Sequence, residues 1–121
     1  MVVSRFEIWY TIFRNKEMGV NIVVRSYTLD EMKEIISGLA AQYGAQRVYL
    51  FGSFARGDYD EQSDIDLRID KGSIRGLALA GLLVDLEDAL GRHVDLIPTN
   101  SLDQRFLDQI RNDEVLLYEA S

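Results

Sequence analysis

Between Thr28 and Tyr43 apolar residues recur at helical spacing. Leu29, Met32, Ile35, Ile36, Leu39, Ala40 and Tyr43 share one face. Thr28-Leu29-Asp30-Glu31 is a capping-box pattern, and Gly44 supplies a stop, so the spacing predicts a helix over 28–43. The period then changes. Arg47 to Phe51 is short and mostly apolar, and predicts a first central strand. Ser63 to Ile69 alternates, with Asp64 and Asp66 on one face and Ile65 and Leu67 on the other, and predicts a second strand. Ser73 is the expected cap of a second helix reaching about Leu90. Leu77, Leu82, Leu86, Ala89 and Leu90 are its expected buried set, and Gly91 its stop. Gly76 and Gly81 weaken that helix intrinsically, so tertiary packing must stabilise it.

Arg92 to Ile97 predicts a third strand. Val94 and Leu96 face one way, His93, Asp95 and Ile97 the other, and Pro98 closes it. Ser101-Leu102-Asp103-Gln104 is a second capping-box pattern, opening a third helix through about Arg111. Val115 to Tyr118 is an edge strand or a packed terminus. In residues 1–27, Phe6, Ile8, Tyr10 and Ile12 alternate with polar or larger residues, and Val20, Ile22 and Val24 read as a return strand. This segment is read either as a hairpin or as an upstream extension, with residues 28–121 as the folded domain. The fold class expected is α/β (α+β): a small mixed sheet with helices packed against it.

Composition narrows the chemistry. The chain has 121 residues, enough for one small core, and 47% are hydrophobic. With no cysteine and a single histidine, His93, neither thiolate nor histidine-rich metal sites are available. Carboxylate chemistry with magnesium or manganese remains. A net charge of −7 argues against nucleic acid as the main partner. No apolar run is long enough to span a bilayer, and the N-terminus lacks the layout of a signal peptide, so a cytoplasmic location is expected.

The stretch Gly52 to Leu67, GSFARGDYDEQSDIDL, carries the candidate chemistry and is read as a loop running into a strand. Side-by-side carboxylates at Asp64 and Asp66 repel, and Asp95 adds a third acid if the strands adjoin. A divalent cation removes that conflict, and two ions sharing carboxylates clamp an in-line phosphoryl displacement. Gly52 lets the backbone approach a ligand, and Ser53 offers a hydroxyl and an N–H to phosphate oxygens. Arg56 either reaches a phosphate or pairs with Asp58 or Asp60. His93 is read as a strand residue with no catalytic part, since no motif calls for it.

Gly52-Ser53 followed by Asp64-Ile65-Asp66, within the fuller text GSFARG and SDIDL, resembles the signature of the polymerase-beta-type nucleotidyltransferase superfamily. In so short a chain it resembles the minimal nucleotidyltransferase branch, with HVDLI where that family carries its third carboxylate. The resemblance implies that Gly52 and Ser53 hold a triphosphate, with Arg56 a further nucleotide-binding candidate. It implies that Asp64 and Asp66 bind magnesium, two ions in all, and that Asp95 completes the metal site and helps activate the acceptor hydroxyl. It further implies ATP as substrate and AMP transfer to a tyrosine of a HEPN-type toxin, with this chain as the antitoxin in a hetero-oligomer. Two alternatives stand beside it: neutralisation of a partner by contact alone, and nucleotidyl transfer to a small hydroxylated molecule such as an antibiotic.

Overall fold

The computed structural model describes residues 28–121; the hairpin or extension expected over 1–27 lies outside the described residues. Helix α1 (Leu29–Tyr43) leads into strand β1 (Arg47–Phe51) and a one-turn helix α2 (Gly52–Arg56). Strand β2 (Ile65–Asp70), helix α3 (Ala78–Leu90) and strand β3 (Val94–Pro98) follow. A 3₁₀ turn over Thr99–Ser101, helix α4 (Gln104–Ile110) and strand β4 (Val115–Glu119) complete the chain.

The four strands lie in the order β3-β2-β1-β4. β1 runs antiparallel to β2 and β4, while β2 and β3 are parallel. A parallel pair needs a crossover, and α3 provides it. The sheet is therefore mixed, as expected, and of the two readings of 115–118, edge strand or packed terminus, β4 is the edge strand.

The core follows from the alternation. Ile65, Leu67 and Ile69 of β2 are fully buried with Val48 and Leu50 of β1. They share one hydrophobic cluster with Met32, Ile36 and Ala40 of α1 and Leu82, Leu86 and Leu90 of α3. The intervening β2 residues, Asp66, Arg68 and Asp70, take the opposite face. That leaves the polar side of the sheet for chemistry.

The capping box on α1 is present in both directions: the Thr28 hydroxyl accepts from the Glu31 N–H, and the Glu31 carboxylate accepts from the Thr28 N–H. Gly44 ends the helix in the left-handed region at φ 87°. The Tyr43 hydroxyl donates to Asp85, tying α1 to α3. A Cβ at Gly81 would stand 3.3 Å from that hydroxyl, so this helix-weakening glycine serves the close packing of the two helices.

Three local expectations are corrected. Ser73 does not cap α3; its hydroxyl donates to the Gly44 carbonyl, and the helix starts later, at Ala78. Leu77, expected to be buried, precedes the helix and is 89% exposed, while Ile74 in the preceding turn takes the buried place. The cap of α4 is Asp103, which accepts from the Phe106 N–H, rather than Ser101, whose hydroxyl donates to the Pro98 carbonyl.

Gly72 joins the end of β2 to α1. At φ 60°, its Cβ position lies 2.6 Å from the Gly44 carbonyl oxygen and 2.8 Å from the Gln46 nitrogen. Both obstacles are backbone and cannot rotate away. Gly72→Ala is expected to cost about 2 kcal/mol or more in urea unfolding; an unchanged midpoint would show that the turn reshapes freely.

Candidate functional site

The site is built at one end of the sheet, where β1 ends and β2 and β3 begin. Register decides what meets there: Phe51 stands opposite Asp66, and Asp66 stands beside Asp95. Ile65 pairs with Val94 in the parallel ladder, which sets the preceding residues, Asp64 and His93, next to each other. The Ile65 N–H donates to the His93 carbonyl at 3.0 Å and fastens this end.

The stretch expected to be a loop begins as helix. Residues 52–56 form one turn, closed by Gly57 at φ 85°. The remainder is held by named contacts. The Asp60 carboxylate accepts from the Gln62 N–H, and the Arg92 guanidinium donates to the carbonyls of Asp60, Glu61 and Ser63. Phe54 stacks on Tyr59 with centroids 4.1 Å apart. Arg92 thus anchors the segment that delivers Asp64, a part that sequence reasoning did not assign. An arginine just before a strand gives no local sign that its target is a carbonyl about 30 residues away.

Gly52 sits directly over Asp66. Its φ is 75°, and a Cβ there would fall 2.3 Å from Asp66 Oδ2. Only a residue without a side chain leaves room for that carboxylate beneath the turn. A cleft of about 440 Å³ opens beside them, lined by Gly52, Ser53, Arg56 and Asp66 on one side and by Phe106, Gln109, Ile110 and Asp113 on the other. Phe106 meets Phe51 edge-on at 5.9 Å. A somewhat larger cleft of about 490 Å³ lies at the far end of β2, around Lys71, Arg75 and Asn100, and includes none of the three acids Asp64, Asp66 and Asp95. Arg56 pairs with Asp58 at 3.2 Å, the scaffold alternative of its two expected roles.

The acids expected to converge do so. Burial pushes the Asp66 carboxyl up to about 6, reinforced by its hydrogen bond to Asp95 and by the charges of Asp95 and Asp64, with Arg56 opposing. Asp64, His93 and Asp95 each offer a ligand atom, all within 4.8 Å of one another. Their side chains are 48%, 61% and 45% exposed, so this flank is open to a partner while Asp66 lies deeper. On the same face but away from the acids, Arg68 is nearly buried. It donates twice to Glu114, both at 2.8 Å, and lies 3.9 Å over the Tyr49 ring, fixing β2 to the segment after α4. Carboxylates crowded until one resists ionisation are a donor set suited to a hard divalent cation.

Residues 33–121 match the family model described as "Polymerase beta, Nucleotidyltransferase". The chain belongs to this nucleotidyltransferase family. A Methanocaldococcus jannaschii protein provisionally named as a protein adenylyltransferase is 35% identical over 88 residues, 72% of this chain and 95% of that relative. A solved structure described as a minimal nucleotidyltransferase superposes with TM-score 0.65 at 36% identity, covering 72% of this chain and 90% of the other. A solved toxin–antitoxin complex with AMP-PNP gives TM-score 0.63 at 26% identity and 74% coverage of each chain. Among the described residues of this nucleotidyltransferase, no helix is long and apolar enough to cross a membrane.

The raised carboxyl predicts a pH signature. A folded value near 6 against an ordinary value of 3.8 means the folded state holds an extra proton between the two. Its stabilising contribution is complete below about 4 and is lost as pH rises through 6. In EDTA, unfolding free energy should fall by about 1 kcal/mol between pH 4.5 and 7, allowing for solvent screening of this part-buried group. Divalent cation should flatten the slope, and Asp66→Asn should remove it. An identical slope in that variant would assign the effect elsewhere.

Proposed function

We propose that this nucleotidyltransferase transfers AMP from ATP to a hydroxyl of a partner protein, a tyrosine of a HEPN-type toxin, and thereby acts as its antitoxin. One observation carries the reading: Gly52 seated over Asp66, with Asp66 in register beside Asp95, at the mouth of the cleft between α2 and α4. The names of relatives support the protein acceptor, and the toxin–antitoxin complex with AMP-PNP supports an adenine nucleotide and that class of partner.

In this reading Gly52 and Ser53 hold the triphosphate, and Arg56 exchanges part of its pairing with Asp58 for phosphate. Phe106 and Ile110 supply the apolar wall of the cleft. Asp64, Asp66 and Asp95 would hold magnesium, two ions in all, which when bound neutralise the triphosphate and acidify the acceptor hydroxyl. Asp95, on the open flank, is placed to orient that hydroxyl and take its proton. The acceptor oxygen bonds to the α-phosphorus, the bond from that phosphorus to the bridging oxygen breaks, and pyrophosphate leaves. The acceptor approaches over the β3 edge, where Asp64, His93 and Asp95 are exposed. A cytoplasmic location belongs to the same proposal.

The test is transfer of label from α-labelled ATP, with magnesium, to the purified cognate toxin, followed by mapping of the labelled residue. Label on a toxin tyrosine is expected. No label on a toxin that binds the chain would favour neutralisation by contact, and label only on a small hydroxylated molecule would favour the other acceptor class.

A further inference from the structure

His93 is the histidine that no motif required, yet the fold places it inside the acid cluster. Its Nδ1 lies 3.4 Å from Asp64 Oδ1 and 3.8 Å from Asp95 Oδ1. Ligands about 2.1 Å from a divalent ion stand about 3 Å apart along an octahedral edge and about 4.2 Å across its diagonal. These two separations fall within that interval, and the ligand atoms of all three residues lie within 4.8 Å of one another. The other ring nitrogen, Nε2, faces Glu87 Oε2 at 4.0 Å. Glu87 is itself held in place by the Val94 N–H, which donates to the same oxygen at 3.0 Å. Histidine ligands in metal centres are oriented by a hydrogen bond from the far ring nitrogen to such a carboxylate; at 4.0 Å Glu87 stands near that nitrogen without bonding it. The backbone is equally committed, because the His93 carbonyl accepts from Ile65 and holds His93 beside Asp64.

We propose that His93 is a nitrogen ligand of this chain's divalent-cation centre and gives the centre a preference for first-row transition ions, manganese among them, over magnesium. Magnesium takes oxygen ligands and gives up water reluctantly, whereas imidazole suits transition ions. An all-carboxylate site discriminates between them less. His93 Nδ1, beside the oxygen donors Asp64 and Asp95, strengthens that discrimination, with the Glu87 carboxylate close to the far ring nitrogen.

The proposal rests on the reading of Asp64 and Asp95 as cation ligands, so its test separates the two. Binding of Mn²⁺ and of Mg²⁺ to the full chain is measured calorimetrically without nucleotide, for the wild type, His93→Ala, His93→Gln and Asp64→Asn. Continuous-wave and pulsed electron paramagnetic resonance of the Mn²⁺ form reports nitrogen coupling. The wild type should bind Mn²⁺ more tightly than Mg²⁺ and show ¹⁴N coupling. His93→Ala and His93→Gln should lose that coupling and about tenfold in Mn²⁺ affinity, with Mg²⁺ affinity changed less than about threefold. Asp64→Asn should weaken both ions. If both His93 variants bind both ions more tightly by the same factor, His93 is a counter-charge to the acids and the proposal falls. It falls equally if Mn²⁺ affinity and ¹⁴N coupling are unchanged. If Asp64→Asn alters neither ion, the carboxylate reading itself is wrong, whatever the His93 result.

Discussion

Asp66→Asn is expected to reduce AMP transfer at least about a thousandfold while leaving the cation-free protein as stable as the wild type or more so. The two effects have one cause. Asp66 is the deepest of the acids, and burial together with Asp95 and Asp64 holds its carboxyl near 6. At neutral pH the folded protein therefore carries a desolvated, repelled charge that opposes folding. An amide of the same shape removes the charge, and unfolding in EDTA should become harder, as is common where an active site is kept at the expense of stability. It also removes a cation ligand and the negative charge that offsets the cation, a loss felt in the transition state. Single-turnover transfer measured beside urea unfolding checks both halves. Lost activity accompanied by lost stability would make Asp66 a structural residue.

Gly52→Ala is the second large effect. At φ 75°, any side chain is strained, and this one would meet Asp66 Oδ2 at 2.3 Å, Cγ at 3.2 Å and Cβ at 3.4 Å. The carboxylate must turn away or the start of α2 must lift, and either movement separates the turn from the acids. Transfer should fall at least about a hundredfold, since small misplacements of reacting groups are costly. Stability should fall by about 1–3 kcal/mol. A double-mutant cycle divides the cost: in an Asp66→Ala background the clash is gone and only the φ strain remains, so the penalty at position 52 should shrink. An undiminished penalty would mean that Asp66 is not what the glycine accommodates.

Where local chemistry decides structure, the residues were readable. Thr28 and Glu31 cap α1 as their spacing predicts, and Gly44 ends it in the left-handed region. The expectations that failed share a cause. Ser73 and Ser101 are good capping residues, but each hydroxyl found a backbone carbonyl instead, Gly44 and Pro98 respectively. Leu77 is apolar, but five residues before Leu82 and nine before Leu86 it falls off their helical face, and the chain turns before the helix starts and leaves it in solvent. Helix α2 is only five residues long, too short for any periodicity to show. The pairing of Arg68 with Glu114 joins residues 46 apart, with no trace in the neighbourhood of either.

The sequence by itself determined the turn and the two acids that follow it. The freedom of a glycine at position 52, and the two-residue period that sets Asp64 and Asp66 on one side of a strand, are properties of a few adjacent bonds. It also determined which faces of α1 and β2 are apolar, and hence which side of the sheet was left for chemistry. Only the tertiary structure decided that β3 lies parallel to β2 in the register that puts Asp95 beside Asp66 and His93 beside Asp64. That register follows from how the α3 crossover packs on α1 and the sheet. It is a sum of many weak contacts between distant segments, and no short stretch of the chain carries it.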